Sequence, residues 1–193
     1  MRQTKCENGK CFFVSQDESP RSTSGDNLSQ FLYLWPVVRS IELVMSEKFS
    51  EILIQRFGDE VFLSGSPLLT PEHNKQIKDA NVELNGLQTS SARILPRLGF
   101  GFWRYLLSKR YESSLWAPHL QHVFSAQAPR SRKLIENRVR EILVLRNRLA
   151  HHEPLASPDF NDLLHKSFEL LEWLSLEEAS ILRNSKYLIF YTP

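Results

Sequence analysis

Apolar residues recur at helical spacing along most of this chain. Near its start they form two stripes, at residues 28–35 and 41–53, with Pro36 between them. A spacing of three and four residues places such positions on one face of a helix. Proline removes a backbone donor and disfavours helix in the residue before it, so we expect a break or kink at Pro36. Gly58 is expected to close the second helix.

The same pattern predicts further helices. Residues 59–72 are expected to form a loop, and Thr70 and Pro71 are typical of the cap and first turn of a helix that runs to Leu84. The remaining predicted helices cover residues 102–111, part of 113–125, 133–151, a segment that starts at Ser157, and a short segment capped by Ser175 and Glu178. Strand signals are few. The sequence therefore predicts an all-α fold, an antiparallel helical bundle with short connections.

Polar segments flank a single predicted domain. Residues 14–27 are rich in Ser, Asp, Pro and Gly and bury too little apolar surface to become ordered, so residues 1–26 are expected to form a flexible tail. With 193 residues, 41% of them hydrophobic, the chain can build one sizeable core, which we assign to residues 27–184. Residues 185–193 are expected to form a C-terminal tail, with "KYLIFYTP" ending as a strand or a frayed segment.

Composition and charge restrict the possible functions. The formal net charge of +2 excludes a uniformly basic nucleic-acid binder, so RNA contacts would need basic residues gathered on one face. No apolar run approaches the roughly 20 residues of a membrane span, and the first residues lack a signal core, which predicts a cytoplasmic protein. Cys6 and Cys11 are then expected to be tail thiols. No carboxylate cluster has metal-ligand spacing, so neither a metal nor another cofactor is predicted.

The run "LRNRLAHHEPL" at residues 145–155 carries the candidate chemistry. Asn147 and His151 are four residues apart and share a helix face. Arg146 is five residues from His151, but its long side chain could curl towards that ring if the helix loosens before Pro154. The supporting candidates are Arg148, His152 and Glu153.

Two interpretations of this run are open. Cations near a helix C-terminus are favoured by the helix dipole, and the run could be no more than that. Alternatively, histidine exchanges protons near neutral pH, a guanidinium stabilises charge on a phosphate, and an asparagine orients either group. Those groups suit phosphodiester cleavage in RNA, where the 2′-OH is an internal nucleophile. Glu153 could orient a histidine or simply precede the proline.

The run resembles the signature of Abi-like (abortive infection) proteins of the HEPN superfamily, in which four to six residues separate an Arg from a His and a polar residue commonly follows the Arg. Arg146, Asn147 and His151 fit it, and the upstream segment "LGFGFWRYLLSKRYESSLWAPHLQHVF" extends the resemblance over residues 95–155. The resemblance implies a HEPN-like helical bundle. It also implies a homodimer whose two motifs face one shared cleft.

The resemblance further implies a metal-independent endoribonuclease, acting as a toxin or anti-phage effector and restrained by an antitoxin-like protein partner. His151 would be the general base or acid, Arg146 would stabilise the phosphorane, and Asn147 would position phosphate or ring. The product ends would be a 2′,3′-cyclic phosphate and a 5′-OH.

One segment departs from the family pattern. These proteins carry an earlier helix resembling Glu-Val-x-Leu-Arg-Asn, and the nearest stretch here is "IELVMSEKF". Glu42 keeps the acid, whereas Ser46 and Glu47 stand in place of the Arg and Asn. This departure favours the alternative function, a catalytically inactive helical module that binds RNA, a nucleotide or a protein partner.

Other candidates lie outside the motif. The predicted RNA-binding residues form a basic stretch leading into the motif helix: Arg130, Arg132, Lys133, Arg138 and Arg140. The alternative for this stretch is an ordinary solvated face. The aromatic residues between 100 and 116 could stack on bases, although their spacing favours core packing. His119 and His122 are three residues apart but lack a third metal ligand, so they are expected to be surface or packing residues.

Overall fold

The structure is a computed structural model that describes residues 3–7, 10–14, 24–82, 90–153, 155 and 160–185, with side chains from residue 30 onward. The helices are α1 Ser24–Phe57, α2 Glu60–Leu63, α3 Pro71–Val82, α4 Ser91–Ile94, α5 Phe100–Tyr105, α6 Arg132–Ala150, α7 Phe160–Leu174 and α8 Leu176–Arg183. Short 3-10 and π-helical turns cover Leu95–Arg97, Lys109–Tyr111, Glu112–Trp116 and Leu120–Val123. The helices pack against one another, which confirms the predicted all-α fold class. None of the described helices is long and apolar enough to cross a membrane.

Of the break or kink predicted at Pro36, the break does not occur, because helix α1 runs without interruption through this residue. Proline in a helix interior costs about 3 kcal/mol relative to alanine. Leu34, Val37 and Val38, which lie on both sides of it, are completely buried. Burial of one such side chain contributes roughly 1.5–3 kcal/mol, so three of them outweigh the lost hydrogen bond and keep the helix continuous.

A β-hairpin occupies part of the segment that the sequence predicted to be a flexible tail. β1 (Gln3–Glu7) pairs antiparallel with β2 (Lys10–Val14), in a register that sets Cys6 opposite Cys11. The sequence between the strands is Asn8-Gly9, a dipeptide typical of two-residue hairpin turns. This dipeptide is a signal for a hairpin, but the polar composition of residues 14–27 led us to predict a flexible tail for the whole segment.

Helix α1 forms the centre of the core. It packs most extensively against α7, and also against α5, α6 and α8. From α6, the residues that enter the core are Ile135, Val139, Ile142, Leu145 and Leu149. Helix α6 therefore has one face in the core and one in solvent, and its bounds agree within one residue with the prediction of 133–151.

The predicted caps at Thr70 and Ser175 are confirmed, whereas two of the predicted element bounds were wrong. Helix α3 begins at Pro71, and the Thr70 hydroxyl oxygen accepts from the His73 backbone N–H at 3.3 Å, which confirms the cap. Ser175 Oγ likewise accepts from the Glu178 N–H at 3.3 Å. The region predicted as a loop contains α2, and the helix predicted over 102–111 is the shorter α5 followed by tight turns. The predicted start of α7 at residues 157–159 and the final segment at 186–193 lie outside the described residues.

Candidate active site at the end of helix α6

The solvent face of α6 carries a regular stripe of side chains that are polar except for Val144. Spaced by four and three residues, the stripe consists of Lys133, Asn137, Arg140, Val144, Asn147 and His151. All of these except the partly buried Asn137 are exposed. At about 100° per residue, Arg146 lies about 140° away from His151 around the helix, on the side that meets α1. The sequence motif is thus divided between two faces of one helix.

Arg146 pairs with a buried carboxylate on α1. Its Nε lies 3.5 Å from Glu42 Oε2, in an ion pair that lacks the geometry of a hydrogen bond. The same Oε2 lies 3.2 Å from Nη1 of Arg39. Glu42 is 7% exposed, whereas about a third of the Arg146 side chain remains exposed. Two guanidiniums therefore share one buried negative charge, leaving a local excess of one positive charge at the surface.

A cavity of about 570 Å³ opens beside this pair, between α1 and residues 92–103. Its lining residues are Arg39, Glu42, Leu43, Ser46, Glu47, Ser50, Ala92, Leu95, Pro96, Arg97, Leu98, Gly99, Trp103 and Arg146. We call this cavity the Arg146 cleft. Ser46 and Glu47, which mark the departure from the Abi-like pattern, both line it.

His151 stands at the C-terminal end of α6, where its backbone N–H donates to the carbonyl of Asn147 at 3.0 Å. Among the described residues, no side chain forms a hydrogen bond or ion pair with its exposed ring. Asn147 shares the same face, as the spacing predicts. The expectation that Arg146 curls towards His151 was wrong, because the buried Glu42 carboxylate draws the guanidinium to the α1 side.

The three supporting candidates have separate structural roles. His152 takes a left-handed backbone conformation, with φ of 54°, which ends the helix, and its ring lies 5.7 Å from that of Phe31. Glu153 Oε2 lies 3.9 Å from Nε of Arg148. The three candidates thus make their contacts at the end of α6, and Glu153 contacts an arginine rather than either histidine.

The predicted RNA-binding set separates into buried and exposed members. Arg132 is 8% exposed, donates to the carbonyl of Leu107 and pairs with Glu136 and Glu112. Its guanidinium is committed to the core, which removes it from the predicted RNA-contacting surface.

Arg138 is also largely engaged within the fold. It pairs with Glu169 and Glu141, and its guanidinium lies 5.3 Å from the ring centre of Trp173. The prediction that it contacts RNA is therefore not supported by its surroundings. Arg130, Lys133 and Arg140 are exposed, and the last two lie on the same stripe as His151. The basic stretch therefore contributes three side chains to the surface.

The comparisons with known proteins add no further constraint. No family model, curated protein or solved structure matches this chain. Within the described residues, no three His, Cys, Asp or Glu side chains are grouped so that they could hold a metal ion. The chemistry of the site is therefore inferred from its own contacts and charges.

Sequence reasoning did not single out Arg39, which lines the Arg146 cleft, or the buried His73. Arg39 precedes Glu42 by one helical turn, and that spacing is its only sequence signal. His73 is 2% exposed in a polar network behind α5. Its Nε2–H donates to the carbonyl of Phe102 at 3.3 Å, so Nδ1 accepts, with the hydroxyl oxygens of Thr70 and Tyr111 each at 3.0 Å.

Burial of the His73 ring penalises its charged form and lowers its pKa below the ordinary value, although the Phe102 carbonyl opposes this effect. The neutral ring ties α3 to α5. Trp103, which follows Phe102 in α5, is fully buried and lines the Arg146 cleft. Its Nε1–H donates to the carbonyl of Leu98 at 3.2 Å. The aromatic residues of α5 thus serve mainly as core, in line with the packing interpretation.

Proposed function

We propose that this protein is a metal-independent endoribonuclease of the Abi-like, HEPN type, and that it acts as a homodimer. The observation that carries the proposal is the combination of an exposed, unengaged His151 ring with an Arg146 guanidinium that is anchored only through Nε. In the described part of the chain, no residue accepts a hydrogen bond from the two Nη groups of Arg146. They are therefore available to a phosphate.

The reaction needs only these groups, the RNA itself and water. His151 takes the proton from a 2′-OH, and the 2′-oxygen forms a bond to the adjacent phosphorus. Arg146 stabilises the negative charge that develops on the phosphorane. The bond from phosphorus to the 5′-oxygen then breaks, and that oxygen takes a proton from water, while His151 releases its proton to solvent. The products are a 2′,3′-cyclic phosphate and a 5′-OH.

A second copy of the chain supplies what one chain lacks. Because Arg146 and His151 lie on different faces of α6, a composite site takes the guanidinium from one copy and the ring from the other. Val144, an exposed apolar residue between Arg140 and Asn147 on the solvent face, supports contact through this stripe.

The biological role that the resemblance suggests is that of a toxin or anti-phage effector with a protein partner that restrains it. The alternative is a catalytically inactive module that binds RNA, a nucleotide or a protein. The pairing of Arg146 with Glu42, away from His151, is the observation that favours this alternative.

Expression of the wild type beside His151→Ala tests the proposal. The readouts are growth arrest in the host and cleavage of total RNA by the purified proteins in EDTA. We expect arrest and cleavage with the wild type alone. Intact RNA with both proteins would support the inactive module, and cleavage that EDTA abolishes would overturn the metal-independent mechanism.

A further inference from the structure

The Arg146 cleft has a size and composition that the proposed cleavage reaction does not use. Its volume of about 570 Å³ lies within the range of about 300–1,000 Å³ that is typical of small-molecule sites. Only Arg146, at its edge, takes part in the reaction. Most of the cleft therefore remains available for a part of the substrate beyond the reacting phosphate.

The cleft has an apolar wall and a charged rim. The wall is formed by Leu95, Pro96, Leu98 and Trp103. Three arginines, Arg39, Arg97 and Arg146, line the cleft, and Glu47 lies on α1 one helical turn beyond Leu43. A flat apolar group with a polar edge suits such a site, and a nucleobase is the part of RNA with this character.

The hydrogen-bonding capacity of the rim selects among the bases. The negative charge of Glu42 is already shared by two guanidiniums. The hydroxyls of Ser46 and Ser50 donate to the backbone carbonyls of Leu43 and Glu47 at 2.8 and 2.9 Å. The Glu47 carboxylate forms no ion pair or hydrogen bond with a described side chain, and it is exposed. It is thus the charged acceptor of the cleft that has no partner among the described side chains.

A carboxylate repels phosphate and accepts hydrogen bonds from N–H donors. Adenine and cytosine present an exocyclic amino group as donor. Uracil presents a carbonyl oxygen at the corresponding position, and its ring N3–H lies between two carbonyl oxygens that a carboxylate repels. We infer that the Arg146 cleft binds an amino-bearing nucleobase, with Glu47 accepting from its amino group. That this base belongs to the nucleotide beside the scissile phosphate rests on the proposed function, because Arg146 would contact both.

Binding of oligonucleotides that cannot be cleaved tests the base site separately from catalysis. The probes are fluorescein-labelled hexadeoxynucleotides of adenine, cytosine or deoxyuridine, titrated against the whole protein and followed by fluorescence anisotropy. We expect the adenine and cytosine probes to bind the wild type about five- to tenfold more tightly than the deoxyuridine probe, since one good base contact discriminates by about 1 kcal/mol or more.

Two variants identify the acceptor. Glu47→Gln offers the deoxyuridine probe a donor as well as an acceptor, so the three affinities should converge. Glu51→Gln removes the same charge from an exposed residue one turn further along α1, outside the Arg146 cleft, and should keep the preference. Equal affinities for the wild type, or an unchanged preference in Glu47→Gln, would overturn the inference.

A parallel assay with RNA hexamers separates this inference from the proposed function. Cleavage by the wild type without any base preference in binding would overturn the base site and leave the nuclease. A Glu47-dependent preference in binding, with no RNA cleaved, would support the base site and overturn the nuclease.

Discussion

Glu42 and Arg146 join the central helix to the motif helix, with Oε2 of the carboxylate 3.5 Å from Nε of the guanidinium. The carboxylate is almost fully buried, so its position is set by the packing of α1. It holds the stem of Arg146 and leaves the two Nη groups at the edge of the Arg146 cleft. Glu42 is thus a positioning residue for a guanidinium that would contact phosphate.

We predict that Glu42→Gln lowers kcat for RNA cleavage about ten- to a hundredfold with little change in KM. The reason is that a displaced Arg146 guanidinium stabilises the transition state less well, while substrate binding changes little. The free energy of unfolding should fall by only about 1–2 kcal/mol, since both partner guanidiniums can be solvated. Single-turnover kinetics and urea denaturation measure the two effects. Glu51→Gln is the matched control, and equal kcat values for the two variants would contradict the positioning role.

The division of the motif between two faces of α6 predicts complementation between inactive variants. Arg146→Ala and His151→Ala should each be inactive alone. When the two variants are mixed and exchange subunits, about half of the dimers become heterodimers, and each heterodimer has one of its two composite sites intact. RNA cleavage should therefore return to at most about a quarter of the wild-type rate. Size-exclusion chromatography checks that dimers are present. No recovery in a mixture shown to contain heterodimers would contradict a site assembled from two chains.

Much of the fold follows from the pattern of apolar residues. The bounds of α6 and the caps of α3 and α8 are local properties, and the sequence predicted them. The continuity of α1 through Pro36 was not predictable in this way, because it depends on burial against distant helices. The direction of the Arg146 side chain was not predictable either, because only the tertiary packing brings Glu42 next to it.

The burial of individual residues in the basic stretch at 130–140 was also not predictable from the sequence. Composition alone cannot distinguish the buried Arg132 from the exposed Arg140. We predict that Arg132→Ala destabilises the protein by about 2–3 kcal/mol, because it removes the donor to the Leu107 carbonyl and leaves the largely buried Glu136 carboxylate with Arg104 as its remaining partner. Arg140→Ala should leave the urea midpoint unchanged and weaken RNA binding with a shallower salt dependence. An Arg132→Ala protein of unchanged stability would contradict the structural role.

His73 predicts how stability depends on pH. Because burial lowers its pKa in the folded state, the unfolded chain binds this proton more readily. The contribution of the neutral His73 ring to the free energy of unfolding is therefore fully present above the ordinary histidine pKa of about 6.5. It is lost as pH falls below that value, and the free energy of unfolding then changes by at most about 1.4 kcal/mol per pH unit.

Urea midpoints between pH 5 and 8 measure this loss. In His73→Gln the amide can still donate to the Phe102 carbonyl and accept from Tyr111, but it does not titrate. The difference in slope between the two proteins isolates the histidine. Identical slopes below pH 6.5 would show that the ring is not held neutral.

The 2′-oxygen beside the scissile phosphate is the atom on which the proposed reaction depends. The most direct measurement uses an end-labelled RNA that the wild type cuts in EDTA, and the same RNA with a single 2′-deoxy substitution at the mapped cut. We predict that the wild type cleaves the first, leaving a 2′,3′-cyclic phosphate and a 5′-OH, and leaves the second intact, while His151→Ala cleaves neither. Cleavage of the substituted RNA at that position, or equal cleavage by His151→Ala, would contradict the account.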